Sequence, residues 1–242
     1  MLLLLIQNLI HSPNAGKLAD YPFLDKFGVA NVNWAMIPWN IFLALLPVAL
    51  GFYLLRRYSP THFGLLPSGK KWQLAGLLLF WLLLFPNSIY LISEARNLLG
   101  YTPEADLPYN ACVRHIWRVY FIFAYSLPGW FGFACSLGQI RRLLGRLFSP
   151  VMGWGAVVFL VPLGTLGTFL GLFNRWNIWE AVTHPLFILI DGIEHLTDPV
   201  RFFNLAVISL VLYFLYLLGE IIFWGGHKML AASSERKDHE SD

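Results

Sequence analysis

The chain has 242 residues, of which 57% are hydrophobic, 17% aromatic and only 13% charged, with a net charge of +3 and a mean hydropathy of +0.58. Soluble domains carry roughly 25% charged residues, and half that charge cannot cover a water-facing surface, so soluble and disordered proteins are excluded. The apolar runs are continuous rather than alternating, which excludes a transmembrane β-barrel. Lys and Arg flank these runs instead of forming a basic patch, so no nucleic-acid partner is implied.

Residues 1–10 are apolar but short and lack a preceding basic stretch, which reads as a short interfacial helix, with a cleaved signal peptide as the alternative. Residues 11–33 are turn-rich, with Pro13, Asn14, Gly16, Pro22 and Gly28, and complete an extracytosolic N-terminal segment, 1–33. Five apolar spans follow, at 37–55, 72–92, 116–138, 151–173 and 203–224. Each is long enough to cross a hydrocarbon core of about 30 Å. Between the fourth and fifth lies HPLFILIDGIEHL, residues 184–196, whose apolar run is too short to cross and which Pro185 starts. The fold class is therefore all-α: a polytopic transmembrane helix bundle over 34–228, of about five spans, with a short re-entrant or interfacial helix between spans four and five. A polar, disordered cytoplasmic tail, 229–242, ends the chain.

Orientation follows from the basic residues. One face holds Arg56, Arg57, Lys70, Lys71, Arg141, Arg142, Arg146, Lys228, Arg236 and Lys237; the other holds Lys17, Lys26, Arg96, Arg114, Arg118, Arg175 and Arg201. The positive-inside rule places the first face, with the C-terminus, in the cytoplasm and the N-terminus outside. A bacterial inner membrane is the expected location, with a thylakoid as the alternative. Cys112 and Cys135 lie on one predicted helix about 35 Å apart, too far to bond within one chain.

Pro47, Pro86, Pro128 and Pro162 lie inside spans, where each frees the carbonyl four residues earlier: Leu43, Leu82, Ala124 and Val158. In hydrocarbon those carbonyls need a donor from a neighbouring helix or water. Gly167-x-x-x-Gly171 in the fourth span offers a close-packing face.

Polar residues converge on the extracytosolic face: Pro38, Trp39 and Asn40 in the first span, FPNSIYLISE (85–94) in the second and NRWNIWEAVTHP (174–185) after the fourth. Asn87, Tyr90 and Glu94, spaced three and four apart, share a helical stripe. Arg175, with Asn174, Asn177 and Glu180, lies near the hydrocarbon boundary and calls for a carboxylate or phosphate partner. A structural Arg175–Glu180 or Arg175–Glu94 clamp and a ligand site are the two readings. Trp34, Trp39, Trp176 and Trp179 read as an interfacial belt. His184, Asp191, Glu194 and His195 form a weak metal candidate, with a solvated, ion-paired loop preferred because no established spacing is present. Glu220 is expected to snorkel to the inner surface, a bundle-facing carboxylate being the alternative. No P-loop, nucleophile elbow, haem-type histidine pair or Gly-rich dinucleotide loop appears, and the sequence names no cofactor.

These segments resemble the DUF1361 family of membrane proteins. Phe85, Pro86, Asn87, Tyr90 and Glu94 match a motif like F-P-N-A-P-Y-I-x-T-D. Gly171, Phe173, Arg175, Trp176, Asn177, Trp179 and Glu180 match one like G-R-F-x-R-W-N-S-W-D. Asn40, Phe42, Leu43, Ala44 and Pro47 match N-x-F-L-A-x-x-P. The chain departs from the family at Ile89 (proline), at Glu94 and Glu180 (aspartate) and at Leu172 (arginine). The resemblance implies a membrane bundle over 38–218 and supplies no activity. The preferred functional reading is a non-enzymatic binding, assembly or complex-subunit protein that meets membrane lipids and a partner membrane protein or a second copy. A membrane enzyme acting on a lipid head group, with Glu94 or Glu180 as base, and a small oligomeric transporter are the alternatives.

Overall fold

The computed structural model describes residues 36–58, 63–94, 109–176 and 180–225. The N-terminal segment 1–33, the tail 229–242, Trp34, Asn177 and Trp179 lie outside them. No strand occurs among the described residues, and five stretches are long and apolar enough to cross a membrane, matching the five expected spans.

The first span is α1 (Met36–Tyr58). The second is α2 (Ser68–Leu84) continued by α3 (Pro86–Ser93), and it breaks at Phe85 because Pro86 has no N–H to continue the ladder. The Phe85 N–H closes α2 on the Trp81 carbonyl at 2.9 Å, and Pro86 opens α3, a position where its missing donor costs nothing. The third span lies in α4 (Tyr109–Leu147), a helix of 39 residues. At about 1.5 Å per residue α4 is far longer than the bilayer core is thick. The fourth is α5 (Pro150–Phe173), capped by the Ser149 hydroxyl, which accepts from the Met152 N–H at 3.2 Å. The one-turn α6 (Glu180–Thr183) and the 13-residue α7 (Pro185–Thr197) precede α8 (Pro199–Glu220), the fifth span, which ends in a π turn, Ile221–Gly225. Pro185 opens α7 as expected.

Two boundaries differ from expectation. The third span continues through Arg141, Arg142 and Arg146 to Leu147 instead of ending near 138, because Leu143, between those arginines, and Leu147, just after them, are buried in the core. The second span begins at Ser68, which places Lys70 and Lys71 in its first turn, the Lys71 ammonium resting 5.1 Å above the Phe63 ring.

α4 is the hub. Half of its most apolar window is buried, against 22% for the first span. Helices α1, α3, α5 and α8 all pack on it. Small residues set the spacing: a Cβ on Gly132 would lie 2.5 Å from the Ala44 carbonyl oxygen, and one on Gly129 2.8 Å from Leu91 Cβ. At this junction the Ser88 hydroxyl donates to the Ala44 carbonyl at 2.6 Å. Beneath it Phe85 stacks between Trp81 (4.7 Å) and Phe133 (5.7 Å), and the Trp81 indole N–H donates to the Pro47 carbonyl at 3.1 Å.

The carbonyl freed by Pro162 meets its expected partner, since the Tyr213 hydroxyl donates to Val158 from α8. Of the expected close-packing pair on α5, Gly167 packs tightly and Gly171 does not, its place being taken by Gly164. Gly164 and Gly167 meet Phe85 and Pro86, with a Cβ falling 2.6 and 2.7 Å from those rings, whereas the nearest atom to a Cβ on Gly171 is 3.7 Å away. Helix rotation decides this, because the Phe85–Pro86 break projects toward the 164–167 stripe. On the outer surface Phe42, Phe52, Leu79, Phe159, Leu210 and Phe214 are exposed, as suits side chains that meet lipid.

Candidate functional site

With five crossings, the start of α1, the end of α3, the start of α4, the end of α5 and all of α7 share one end of the bundle. Two polar groups form there. In the first, the Asn40 amide donates to the Tyr125 hydroxyl at 2.9 Å, joining α1 to α4. Asn87, Tyr90 and Glu94 are half-buried along the expected stripe. Asn87 turns back across the break to the end of α2, donating to the Leu84 carbonyl at 2.8 Å. It thereby serves a carbonyl at the proline break. The Tyr90 carbonyl accepts from the Ser93 hydroxyl at 2.6 Å.

The second group joins the end of α5 to α7. Asp191 Oδ2 accepts from the Asn174 amide at 2.8 Å and from the Trp176 indole N–H. Trp176 is thus a bonded member of the site rather than only part of a belt. One turn along α7, His195 is 3% exposed and its Nδ1 donates to the Asp191 carbonyl at 2.9 Å, which fixes the tautomer; Phe169 lies against its ring at 6.1 Å. Asn174 and Trp176 reach Asp191 because the chain reverses between them. Both backbone N–H groups converge on the Leu170 carbonyl, each at 3.2 Å, and Arg175 takes φ 62°, the sole positive φ of a non-glycine among the described residues. That conformation costs about 1–2 kcal/mol, a strain of the kind that clusters at functional sites.

The remaining expected residues separate. Arg175 is exposed, and among the described residues it pairs with neither Glu94 nor Glu180, so the expected clamp does not form. The αL turn, which serves Asn174 and Trp176, decides this. Glu180 begins α6, half-buried. His184 is bonded to Thr183 at 2.9 Å, and Glu194 pairs with Arg201 at 3.0 Å in an exposed position. His184, Asp191, Glu194 and His195 thus take different partners, and among the described residues no three His, Cys, Asp or Glu side chains could hold a metal ion.

Asn40, Asn87, Tyr90 and Glu94 of the first group and Trp176 of the second stand at positions that match the DUF1361 motifs, whereas Tyr125, Asn174 and Asp191 do not. The family model described as "Protein of unknown function (DUF1361)" matches residues 39–218. The chain belongs to the DUF1361 family. No curated protein and no solved structure matches it.

In this DUF1361 chain the Phe-Pro-Asn-Ser run has a physical account. Phe85 fills the core, Pro86 breaks the span and seats on Gly167, Asn87 serves the Leu84 carbonyl and Ser88 ties α3 to α1. Thr168 adds a bond from α5 to the Pro86 carbonyl at 3.3 Å. Ile89, where the family tends to proline, is buried against Gly164.

At the opposite end the bundle-facing alternative for Glu220 holds, in a cluster whose arginine and tyrosine partners sequence reasoning did not assign. Glu220 does not snorkel. It accepts from Arg141, from Arg142 at 3.1 Å and from the Tyr216 hydroxyl at 2.9 Å, all four side chains being largely buried. Arg141 also donates through Nε to the Tyr216 oxygen at 2.9 Å and lies 4.4 Å over the Trp154 ring. The available signal was Tyr216 and Glu220 four residues apart, at a depth matching the arginines of the third span.

Proposed function

We propose that this DUF1361 protein is a non-enzymatic membrane binding protein, an assembly factor or complex subunit, whose recognition site is the polar face around Asp191 at the extracytosolic membrane interface. The observation that carries this reading is the α5–α7 node. Its carboxylate is held by two donors on a strained turn, so it is preorganised, while the exposed side chains beside it, Leu186, Phe187 and Ile190, are apolar. A fixed polar centre beside an apolar surface suits recognition of a partner or lipid better than proton transfer. The proposed orientation has the N-terminus outside and the C-terminus in the cytoplasm of a bacterial inner membrane, from the distribution of Lys and Arg.

Native mass spectrometry of the protein from its own host membrane in mild detergent tests this. The expected result is a partner subunit or lipid bound in stoichiometric amount to the wild type and reduced in Asp191→Ala. A wild-type protein that runs alone with nothing bound overturns the reading.

One observation favours a second reading, a membrane enzyme acting on a lipid head group. Arg175 is exposed at the interface and, among the described residues, in no ion pair, which leaves its guanidinium available for a phosphate. Turnover of a head-group lipid that both Glu94→Gln and Glu180→Gln abolish, with accumulation unchanged, would put this reading first.

A further inference from the structure

We infer that the turn joining α1 to α2, at the end of the bundle opposite Asp191, is a docking surface for anionic phospholipid, with Arg56, Arg57 and Lys70 as the groups that meet the lipid phosphates. This face is separate from the proposed recognition site and does not depend on it.

Charge is one-sided here. Arg56, Arg57, Lys70 and Lys71 flank the turn, and no acidic residue stands between Asp25 and Glu94. Arg56, Arg57 and Lys70 are exposed, and none of them enters an ion pair among the described residues. Glu220, the only acid at this end among the described residues, is held by Arg141 and Arg142.

Helix electrostatics accounts for only part of this charge. Arg56 and Arg57 lie in the last turn of α1, where the helix field favours cations. Lys70 and Lys71 lie in the first turn of α2, where the field opposes them, and that turn has no acidic residue and no side-chain cap. Lys71 rests over the Phe63 ring, whereas Lys70 is left to an external anion.

The cations are carried on fixed helix ends. Leu54 and Tyr58 of α1 share one core with Leu66 and Leu74, before and within α2. Phe63, under Lys71, stacks 4.7 Å from Phe148, which follows α4, so the turn is pinned to the bundle.

The surroundings favour a lipid over a soluble anion or an acidic protein segment. Trp72, 81% exposed, follows the lysines, and Phe52 and Tyr53, also exposed, stand one turn before Arg56 and Arg57. Aromatic side chains at the end of a span, with cations just beyond, match a membrane interface. Leu79 and Phe80 continue the exposed apolar surface along α2. A phospholipid covers both the cations and this apolar surface, while the other occupants meet the cations alone. A cluster of four basic residues at the end of a span is enough to attract anionic head groups.

The test uses the full-length protein, delipidated in mild detergent and titrated by native mass spectrometry with phosphatidylglycerol and phosphatidylcholine of equal chain length, which share the phosphate and differ in net charge. Each cation near an anionic surface is worth about fivefold in affinity, so wild type should prefer phosphatidylglycerol by about tenfold or more. The preference should disappear when Arg56→Gln, Arg57→Gln and Lys70→Gln are combined. It should survive in Arg56→Lys with Arg57→Lys, which keeps the charge, and in Arg201→Gln at the opposite end. Raising the salt from about 0.1 M to about 1 M shortens the screening length from about 10 Å to about 3 Å and should erase the preference. The salt series uses wild type alone, so it stands even where the triple variant accumulates poorly. Equal binding of the two lipids by wild type, or an undiminished preference in the triple variant, overturns the inference. So does displacement of phosphatidylglycerol by an equal concentration of glycerol 3-phosphate, which would make this a site for soluble anions.

Discussion

Gly132 shows how tightly single residues are constrained where α4 meets α1. A Cβ there would lie 2.5 Å from the Ala44 carbonyl oxygen, a backbone atom of α1, and the third nearest atom, the Ala44 carbonyl carbon, is only 3.3 Å away. Gly132→Ala must push two helices apart and should cost about 1–3 kcal/mol, read as a lower midpoint in thermal unfolding in detergent. Gly155→Ala is the control, since nothing lies within 4 Å of its Cβ and the gain in helix propensity is about 0.5–1 kcal/mol. Glu220 is the second residue whose loss should be felt. Glu220→Gln leaves Arg141 without a counter-charge among the described residues while its side chain stays only 18% exposed. Breaking a fully buried pair costs about 3–5 kcal/mol; the residual exposure lowers the expectation here to about 2 kcal/mol. A double-mutant cycle with Arg141→Gln should return most of that as coupling, and additivity of the two single changes would show that the clamp contributes nothing.

The hinge between α7 and α8 is built from one cap. Asp198 is the N-cap of α8, its carboxylate accepting from the Val200 and Arg201 backbone N–H groups at 2.8 and 2.9 Å, with Pro199 as the first helical residue. The Arg201 N–H above all, and the Val200 N–H after it, hold its carboxyl below the usual carboxylate range. A depressed folded-state pKa means that the unfolded chain takes up the proton first as the pH falls. The stabilisation is therefore complete above the ordinary carboxylate range and is lost as the pH drops through the depressed value. Amide exchange at Val200 and Arg201 should accelerate over that acidic window, and Asp198→Ala should show the faster exchange already at neutral pH. Identical exchange in the variant would show that Pro199 alone sets the start of α8.

For the whole molecule, five spans among the described residues place the start of α1 and the end of α8 at opposite ends of the bundle, and the proposed orientation takes the side of each from the basic residues. In a chain with Cys112 and Cys135 changed to serine, Leu186→Cys should react with a membrane-impermeant maleimide from outside intact cells, whereas Ser68→Cys should react only after the membrane is opened. Both positions are exposed, so access to reagent is limited by the membrane and not by packing. Reaction of both from one side would refute the five-span topology, and an exchange of the two sides would refute only the orientation.

The spans, the kinking prolines and the helix start at Pro185 were legible because length, hydropathy and the missing proline N–H act within one segment. The shared end of Asn40, Asn87, Glu94, Asn174 and Asp191 was legible too, since counting crossings is enough to place them. What the side chains do at that end was not. Asn87 serves the Leu84 carbonyl at the proline break, Arg175 pairs with neither expected carboxylate among the described residues, Trp176 bonds Asp191, and Glu220 faces Arg141 instead of water. Spacing of three and four residues says which side chains share a face of one helix but not which face of the next helix they meet. Helix rotation and the close approach at Gly132, Gly164 and Gly167 settle that, and they are properties of the packed bundle. The sequence by itself therefore determined the five membrane-capable helices and the end of the bundle to which each polar residue belongs, because both follow from length and hydropathy within one segment, while the tertiary structure decided which of those residues touch, because that depends on how the helices are rotated and how closely they pack.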